Sequence, residues 1–120
     1  MATFTAVRNK KQTAGTMVNV MKYVVQGKKT MLGDQWLVTG HNCVAQSSYL
    51  EMMTTKRRFR KTDGRQFYHF VQSFSAEDHL TPQEVNAIGV EFAQKQFPDF
   101  EVIVATHMDT GHLHNHLVVN

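Results

Sequence analysis

Four of the seven histidines in the 120-residue chain lie within ten positions near its end, with one aspartate among them. They are His107, His112, His114 and His116, with Asp109. Alternate residues of a strand project to one face, so a strand over this segment directs His112, His114 and His116 to the same side. A hairpin then brings His107, at the end of the preceding apolar run, beside them. Three converging imidazoles without a thiolate are typical of an open metal site, and Asp109 could accept the second ring N–H of a ligating histidine.

Packing alone is a poor explanation of this cluster, because buried imidazoles need hydrogen-bond partners. A purification tag is also a poor explanation, since tags are uninterrupted runs of histidine without alternating apolar residues. On ligand grounds, an all-imidazole site favours zinc, nickel or manganese. Such an ion can polarise a phosphoryl oxygen or activate a water molecule, so a metal alone does not name the reaction.

Hydrophobic periodicity predicts the elements that position the cluster. Strands are predicted at 3–9, 35–43, 66–75, 99–107 and 112–120, helices at 12–26, 44–58 and 82–97, and loops or turns at 27–34, 61–65 and 110–111. The last helix has the clearest start, with Thr81 as cap, Pro82 in the first turn and Glu84 as the capping-box partner. The order β-α-β-α-β-α-β-β, closed by an antiparallel hairpin, predicts an α/β (α+β) fold, a two-layer sandwich with helices packed on the sheet.

The composition bounds the class of protein. Hydrophobic residues are 42% and charged residues 19% of the chain, which is typical of a globular domain and argues against disorder. We expect one domain over residues 1–120. No apolar run approaches the roughly 20 residues of a membrane span, and the N-terminus lacks the apolar core of a signal peptide. The single Cys43 fits a reducing compartment, so we expect a cytoplasmic protein without membrane insertion.

The net charge of +3 is modest, but the basic residues are clustered. The two groups of interest are Lys28 with Lys29, and Arg57, Arg58, Arg60, Lys61 and Arg65. Runs of charge are usually solvated surface, and each group alone favours that interpretation. Together with a histidine-rich end, they are typical of a protein that holds a phosphate backbone and acts on it.

Four ordered segments form a pattern more specific than the histidines alone. They are KYVVQGKKT (22–30), TGHNC (39–43), HFVQSFS (69–75) ahead of a Thr-Pro-Gln-Glu helix start, and the histidine segment followed by LVVN. Together they resemble the conjugative relaxases, specifically the MobA/MobL- and VirD2-like mobilisation nucleases of the HUH endonuclease superfamily. The resemblance extends along the whole chain and implies an HUH-like fold with a largely antiparallel central sheet.

The resemblance also implies a metal centre. In that family the ligands lie on the pattern that matches His107, His114 and His116, while the position of His112 is outside the ligand set. The family's ion is generally magnesium or manganese. Asn115, between the last two ligands, stands where the family commonly has a hydrophobic residue.

For the reaction, the resemblance implies a DNA relaxase in which Tyr23 attacks one strand at an origin of transfer. The products would be a 5′-phosphotyrosine link and a free 3′-hydroxyl, for conjugative transfer of a plasmid or integrative element. A phenol needs help to attack at neutral pH, and Asp109 and His112 are candidates for proton movement. Tyr49 and Tyr68 are rival tyrosines, but both are better interpreted as core residues or as stacking platforms for a base.

The same resemblance implies partners. The basic groups would bind DNA, single-stranded or in a hairpin near the nick, in the bacterial cytoplasm, and accessory mobilisation proteins and a coupling protein are expected partners. The family's nuclease domain usually continues beyond the metal motif, so we expect residues 1–120 to be an N-terminal fragment. An exposed LVVN edge could then pair with another chain as a dimer or by strand exchange.

Two other functions stay open at this point. One is a metal-dependent phosphoesterase in which activated water attacks and Tyr23 merely packs. The other is a fragment that binds single-stranded DNA or metal without turnover.

Overall fold

The computed structural model describes residues 2–61 and 63–120. Its helices are α1 (Ala14–Val24), α2 (Gly27–Thr30), α3 (Ser48–Arg58) and α4 (Pro82–Gln96). Its strands are β1 (Thr3–Val7), β2 (Met31–Leu32), β3 (Gln35–Trp36), β4 (Val38–His41), β5 (Tyr68–Ser73), β6 (Val102–His107) and β7 (His114–Val119). Within these ranges, no helix is long and apolar enough to cross a membrane.

The main sheet has five strands in the order β1-β5-β7-β6-β4, and every neighbouring pair is antiparallel. The predicted α/β class with an antiparallel central sheet is therefore confirmed. Strand β7 lies at the centre of this sheet. It pairs with β6 so that His107 lies opposite His114 and Ala105 lies opposite His116. This register makes the histidines of the two strands neighbours.

Helices cover both faces of the sheet. On one face, Met21 of α1 and Met52 of α3 pack with Ile103. On the other face, Ala93 of α4 packs with Val104. The domain thus has three layers with the sheet in the middle, whereas the sequence analysis predicted two layers. The reason is visible in β6, because all of its residues are buried, as in strands that are covered on both sides.

The starts of α1 and α4 follow from local hydrogen bonds. The Thr13 hydroxyl accepts from the backbone N–H of Thr16 at 3.1 Å, which caps α1. At α4, the Thr81 hydroxyl accepts from the backbone N–H of Glu84, and the Glu84 carboxylate accepts from the backbone N–H of Thr81. Pro82 is the first helical residue. The predicted capping box is confirmed.

Helix α4 approaches the sheet closely at Gly89. A Cβ atom added there would lie 2.5 Å from the Asn115 side-chain nitrogen and 2.7 Å from a methyl group of Val104. The Asn115 amide donates to the Gln72 side-chain oxygen at 3.0 Å and to the Val85 carbonyl at 2.8 Å. The absence of a side chain at position 89 therefore leaves room for a buried polar contact between α4 and β7.

The prediction of a loop over residues 27–34 is wrong. This segment contains α2 and the short β2–β3 hairpin. The hairpin turns at Gly33, whose φ of 60° lies in the left-handed region that glycine adopts readily. Elements of two to four residues are too short to produce a hydrophobic period, so the sequence pattern did not reveal them.

The prediction that β7 begins at residue 112 is also wrong, because β7 begins at His114. Residues 108–113 form the connection from β6, and the expected tight turn at 110–111 lies within it. The Thr110 hydroxyl donates to the His112 carbonyl at 2.8 Å, which folds this connection on itself. For the predicted turn at 61–65, Thr62 lies outside the described residues.

The predicted route to a dimer through an exposed LVVN edge does not fit the sheet. Strand β7 is hydrogen-bonded on both sides, to β5 and to β6. In the described part of the chain, the edges of the main sheet are β1 and β4. The LVVN segment is therefore interior and offers no free edge to a second chain.

We expect Gly89→Ala to destabilise the domain by about 1–3 kcal/mol, because the added methyl group overpacks the contact with Asn115 and Val104. Gly15→Ala in the first turn of α1 is the matched control, since its added Cβ would have its nearest contact at 3.8 Å. That control should be neutral or stabilising by about 0.5–1 kcal/mol. Urea unfolding of both variants measures the free energies, and equal effects would contradict the close approach of α4.

Candidate active site

Three histidine side chains converge at one end of the β6–β7 pair. His107 ends β6, and His114 and His116 lie in β7. One ring nitrogen from each lies within 4.8 Å of those of the other two. The centroid of the His107 ring is 4.2 Å from that of His116 and 5.1 Å from that of His114. His107 and His116 are buried and His114 is partly exposed. Three imidazoles in this arrangement can hold one cation.

In each of the three rings, one nitrogen has a hydrogen-bond partner and the other nitrogen is free. His107 Nε2 donates to the Val24 carbonyl at 2.8 Å, and His114 Nδ1 donates to the His112 carbonyl at 3.1 Å. His116 Nδ1 lies 2.8 Å from Nε2 of His69. The nitrogens left for a ligand are therefore His107 Nδ1, His114 Nε2 and His116 Nε2. These groups fit a divalent cation, because metal-binding histidines usually bond through their second nitrogen to a carbonyl or a similar group.

The buried rings are held neutral by their surroundings. Burial, together with the neighbouring His107, His69 and His114 rings, lowers the pKa of His116 to about 3. Burial also lowers the pKa of His107, although the bond to the Val24 carbonyl opposes the shift. Neutral imidazoles present lone pairs, which is the form that a metal ion requires.

Tyr23 lies beside this cluster, in the last turn of α1. Its ring centroid is 5.8 Å from that of His107 and 5.9 Å from that of His116, with both ring pairs edge to face. Its side chain is exposed. The bond from His107 to the Val24 carbonyl attaches the end of α1 to β6 one residue after Tyr23. The structure therefore brings the predicted nucleophile and the three predicted ligands together.

Lys29 and Asp109 form an ion pair next to Tyr23. Their side chains are 2.5 Å apart, and the Lys29 Nζ atom lies 5.4 Å from the centroid of the Tyr23 ring. The Asp109 carboxylate raises the pKa of Lys29, and Lys29 lowers the pKa of Asp109. The expectation that Asp109 accepts a ring N–H of a ligating histidine is wrong, because Lys29 is its partner.

His112 lies outside the group of three histidines. The His112 side chain is exposed on the connection between β6 and β7, and its ring does not join the group of three. The residue instead contributes its backbone carbonyl, which accepts from His114. The Lys28 side chain is exposed on α2. The expectation that His112 shares a strand face with His114 and His116 fails because β7 begins two residues later.

Comparison with known protein families shows which family the chain belongs to. The family described as "Relaxase: MobA/VirD2-like, nuclease domain" matches residues 23–120, from Tyr23 through the three histidines. The chain belongs to this relaxase family.

Several relatives of this relaxase domain are known. Two proteins of Staphylococcus aureus, each called Protein rlx, are similar to it. The first is 38% identical over a match that covers 66% of this chain and 24% of its own length. The second is 37% identical over a match that covers 68% of this chain and 26% of its own length. The group II intron-interrupted relaxase LtrB of Lactococcus lactis subsp. cremoris is 28% identical over 87% of this chain and 23% of its own length. The domain thus spans about a quarter of these relatives. No solved structure matches it.

The larger basic group of the relaxase domain lies at the end of α3 and in the segment that follows it. Its side chains are all exposed, namely Arg57, Arg58, Arg60, Lys61 and Arg65. Arg57 lines a cleft with Ala14 at the start of α1, whereas Tyr23 lies nine residues further along that helix, at a rise of about 14 Å. The Arg65 guanidinium lies 4.7 Å from the centroid of the exposed Tyr68 ring, which makes Tyr68 part of this basic surface.

The sequence reasoning missed His69 and the Val24 carbonyl. HFVQSFS was noted as a relaxase-like segment, but neither residue types nor spacing place a residue of β5 beside a residue of β7, because this requires the strand order and register. The rival Tyr49 is half-buried and packs against the core, where its hydroxyl donates to the Ala14 carbonyl.

We expect His114→Ala to weaken binding of Mn²⁺ by more than about a hundredfold, because loss of a ligand should exceed the 10- to 100-fold cost of losing a supporting residue. His112→Ala is the matched control, since it removes a nearby imidazole and keeps the carbonyl that accepts from His114. Isothermal titration calorimetry measures both affinities. An unchanged affinity of the His114 variant would show that the ligand set is different.

Proposed function

We propose that this relaxase domain cuts one strand of DNA at an origin of transfer, through attack of the Tyr23 hydroxyl on a backbone phosphate, for conjugative transfer of a plasmid or integrative element. One observation carries the proposal: the Tyr23 ring lies against the rings of His107 and His116. These two residues belong to a group of three histidines that is able to hold a cation. Membership of the family and the relatives named as relaxases support it.

The step is a transesterification. A bond forms between the Tyr23 oxygen and phosphorus, and the bond from phosphorus to the 3′ oxygen breaks. The protein then carries a 5′-phosphotyrosine link, and the other fragment ends in a free 3′-hydroxyl. The phenol loses one proton and the departing oxygen gains one. Because one phosphodiester replaces another, attack by a 3′-hydroxyl in the reverse direction can rejoin a strand.

The histidines would hold a divalent ion, magnesium or manganese as is usual in the family, or zinc or nickel on ligand grounds. Such an ion supplies neutralising charge at the non-bridging oxygens of the phosphate. The part played by the chain itself is positional. Paired strands hold His107, His114 and His116 together, and the bond from His107 to Val24 keeps the end of α1, and so Tyr23, beside them.

Lys29 and Asp109 have separate tasks in this proposal. The Lys29 ammonium lies near the Tyr23 ring and attracts the phosphate that Tyr23 attacks. Asp109 orients Lys29 through their ion pair. The same ion pair lowers the pKa of the Asp109 carboxyl, which makes it a poor proton acceptor. The His112 side chain lies on the exposed connection between β6 and β7. Any part that it takes in proton transfer is from that position, outside the group of three histidines.

The basic surface around Arg57 and Arg65 binds DNA at a distance from the scissile phosphate. Phosphate contacts supply affinity, and the exposed Phe59 and Tyr68 rings offer faces on which unpaired bases can stack. Lys28, on α2, adds a contact nearer to Tyr23. Accessory mobilisation proteins and a coupling protein in the bacterial cytoplasm are the partners that this function needs.

The decisive experiment is a search for the covalent adduct. Single-stranded oligonucleotides of random sequence, labelled at the 3′ end, are incubated with the protein and Mn²⁺ and separated on a denaturing gel. The 3′ label is required because the 5′-phosphotyrosine fragment retains that end. We expect labelled DNA to migrate with the protein, to be lost in Tyr23→Phe and to persist in Tyr49→Phe, which removes a hydroxyl that donates to the Ala14 carbonyl at the other end of α1.

Sequencing of the captured DNA then identifies the cut site. Nicking without an adduct, unaffected by Tyr23→Phe, would favour a phosphoesterase that uses activated water, because three histidines leave positions for water on an ion. Binding without any cleavage would favour a module that only holds DNA.

We expect Arg57→Glu with Arg58→Glu to weaken binding of single-stranded DNA and to flatten its dependence on salt, because each lost phosphate contact reduces the log–log slope by about 0.7. The measurement is fluorescence anisotropy over a series of salt concentrations. Gln94→Glu, Lys95→Glu and Gln96→Glu together make the same change of net charge on α4, across the sheet. Equal losses in the two variants would mean that overall charge, and not this surface, determines affinity.

A further inference from the structure

His69 is a fourth histidine beside the candidate metal centre. It lies in β5 and is buried. Its Nε2 atom is 2.8 Å from Nδ1 of His116, and the two ring centroids are 5.0 Å apart. We infer that His69 is a positioning residue, whose Nε2 accepts the Nδ1–H of His116 and thereby directs the Nε2 lone pair of His116 into the cluster. The inference rests on the proposed function, because it concerns the same metal centre.

The backbone places His69 firmly. Strand β5 is hydrogen-bonded on both sides, so that His69 lies opposite Val7 of β1 and opposite Val118 of β7. His116 lies two residues from Val118 along β7 and is therefore the diagonal neighbour of His69 on the same face. Diagonal pairs are within reach of long or aromatic side chains. The ring of His69 is thus held against His116 by two strand ladders.

The direction of this hydrogen bond decides whether His116 can bind an ion. A neutral imidazole has one N–H and one lone pair, and the two rings share one proton between the facing nitrogens. If His69 donates, His116 carries its own proton on Nε2, which faces the cluster and cannot ligate. If His116 donates, its Nε2 presents a lone pair. Only the second arrangement is compatible with a ligand.

The surroundings of His69 leave it free to take the accepting role. Among the described residues, its other nitrogen, Nδ1, is buried without a hydrogen-bond partner. No second bond therefore fixes which nitrogen of His69 carries the proton. His107 and His114 differ in this respect, because each donates to a backbone carbonyl, which can only accept. Among the three ligands, only His116 bonds to a side chain that can either donate or accept. Whether His116 can bind an ion therefore depends on which nitrogen of His69 carries the proton.

The first test compares Mn²⁺ affinities by isothermal titration calorimetry. We expect His69→Phe, which keeps a ring and removes the acceptor, to lower the affinity about 10- to 100-fold. His69→Gln should retain most of the affinity, because its amide oxygen can accept the same bond. His41→Phe is the matched control and should bind as the parent does, since His41 bonds to the Phe97 carbonyl outside the cluster. Unfolding temperatures without metal show whether each variant is folded.

The second test uses the parent protein and needs no variant. Long-range ¹H–¹⁵N spectra of the Zn²⁺-loaded protein with labelled histidine report which nitrogen of each ring carries a proton. We expect His116 to be protonated at Nδ1 and His69 at Nδ1, with Nε2 of His69 as the acceptor.

Three results would overturn the inference. The first is parent-like affinity in a folded His69→Phe variant, and the second is a His116 ring without a proton on Nδ1 in the loaded protein. The third is absence of Mn²⁺ and Zn²⁺ binding by the parent, which removes the metal centre and the role of His69 with it. In the first two cases the metal centre and the proposed nuclease function survive.

Discussion

The hydrogen bond from His107 to the Val24 carbonyl couples the helix that carries Tyr23 to the strand that carries the first histidine. The last carbonyls of a helix have no partner within the helix, so this bond also satisfies a group that the end of α1 leaves open. Because the carbonyl can only accept, the bond fixes the proton of His107 on Nε2 and leaves Nδ1 for a ligand. One contact therefore satisfies a carbonyl at the end of the helix, leaves Nδ1 of His107 for a ligand and holds the Tyr23 ring beside the cluster.

Successive side chains of β7 point to opposite faces of the sheet, so its candidate ligands and its packing contacts lie on different faces. His114 and His116 point to the face covered by α1, and Asn115 between them points to the opposite face. There the Asn115 amide donates to the Gln72 side chain and the Val85 carbonyl, and its oxygen accepts from Thr106 at 2.6 Å. Both N–H bonds and the oxygen of the Asn115 amide thus have partners. Asn115 also ties β7 to α4 through the Val85 carbonyl.

The sequence predicted the features that depend on local pattern. The capping box at Thr81 and Glu84 is set by hydrogen bonds between residues three apart, and the meeting of His107 with the last two histidines follows from the alternation of a hairpin. The contact of His69 with His116 depends on strand order, which no local pattern contains. His112 was misplaced because a turn closed by side chains can shorten a strand by two residues without changing its apolar pattern.

The central position of β7 has a consequence for how the domain acquires its structure. Among the seven strands, β7 is the last to be synthesised, yet it joins β5 to β6 in the middle of the sheet. Until it arrives, the earlier strands of the main sheet can form only two separate pairs, β1 with β5 and β4 with β6, and isolated two-stranded pairs are marginally stable. Both hydrophobic faces are then completed together. The ribosome must therefore release nearly all of these residues before cooperative folding begins, and the pairing involved is long-range and correspondingly slow.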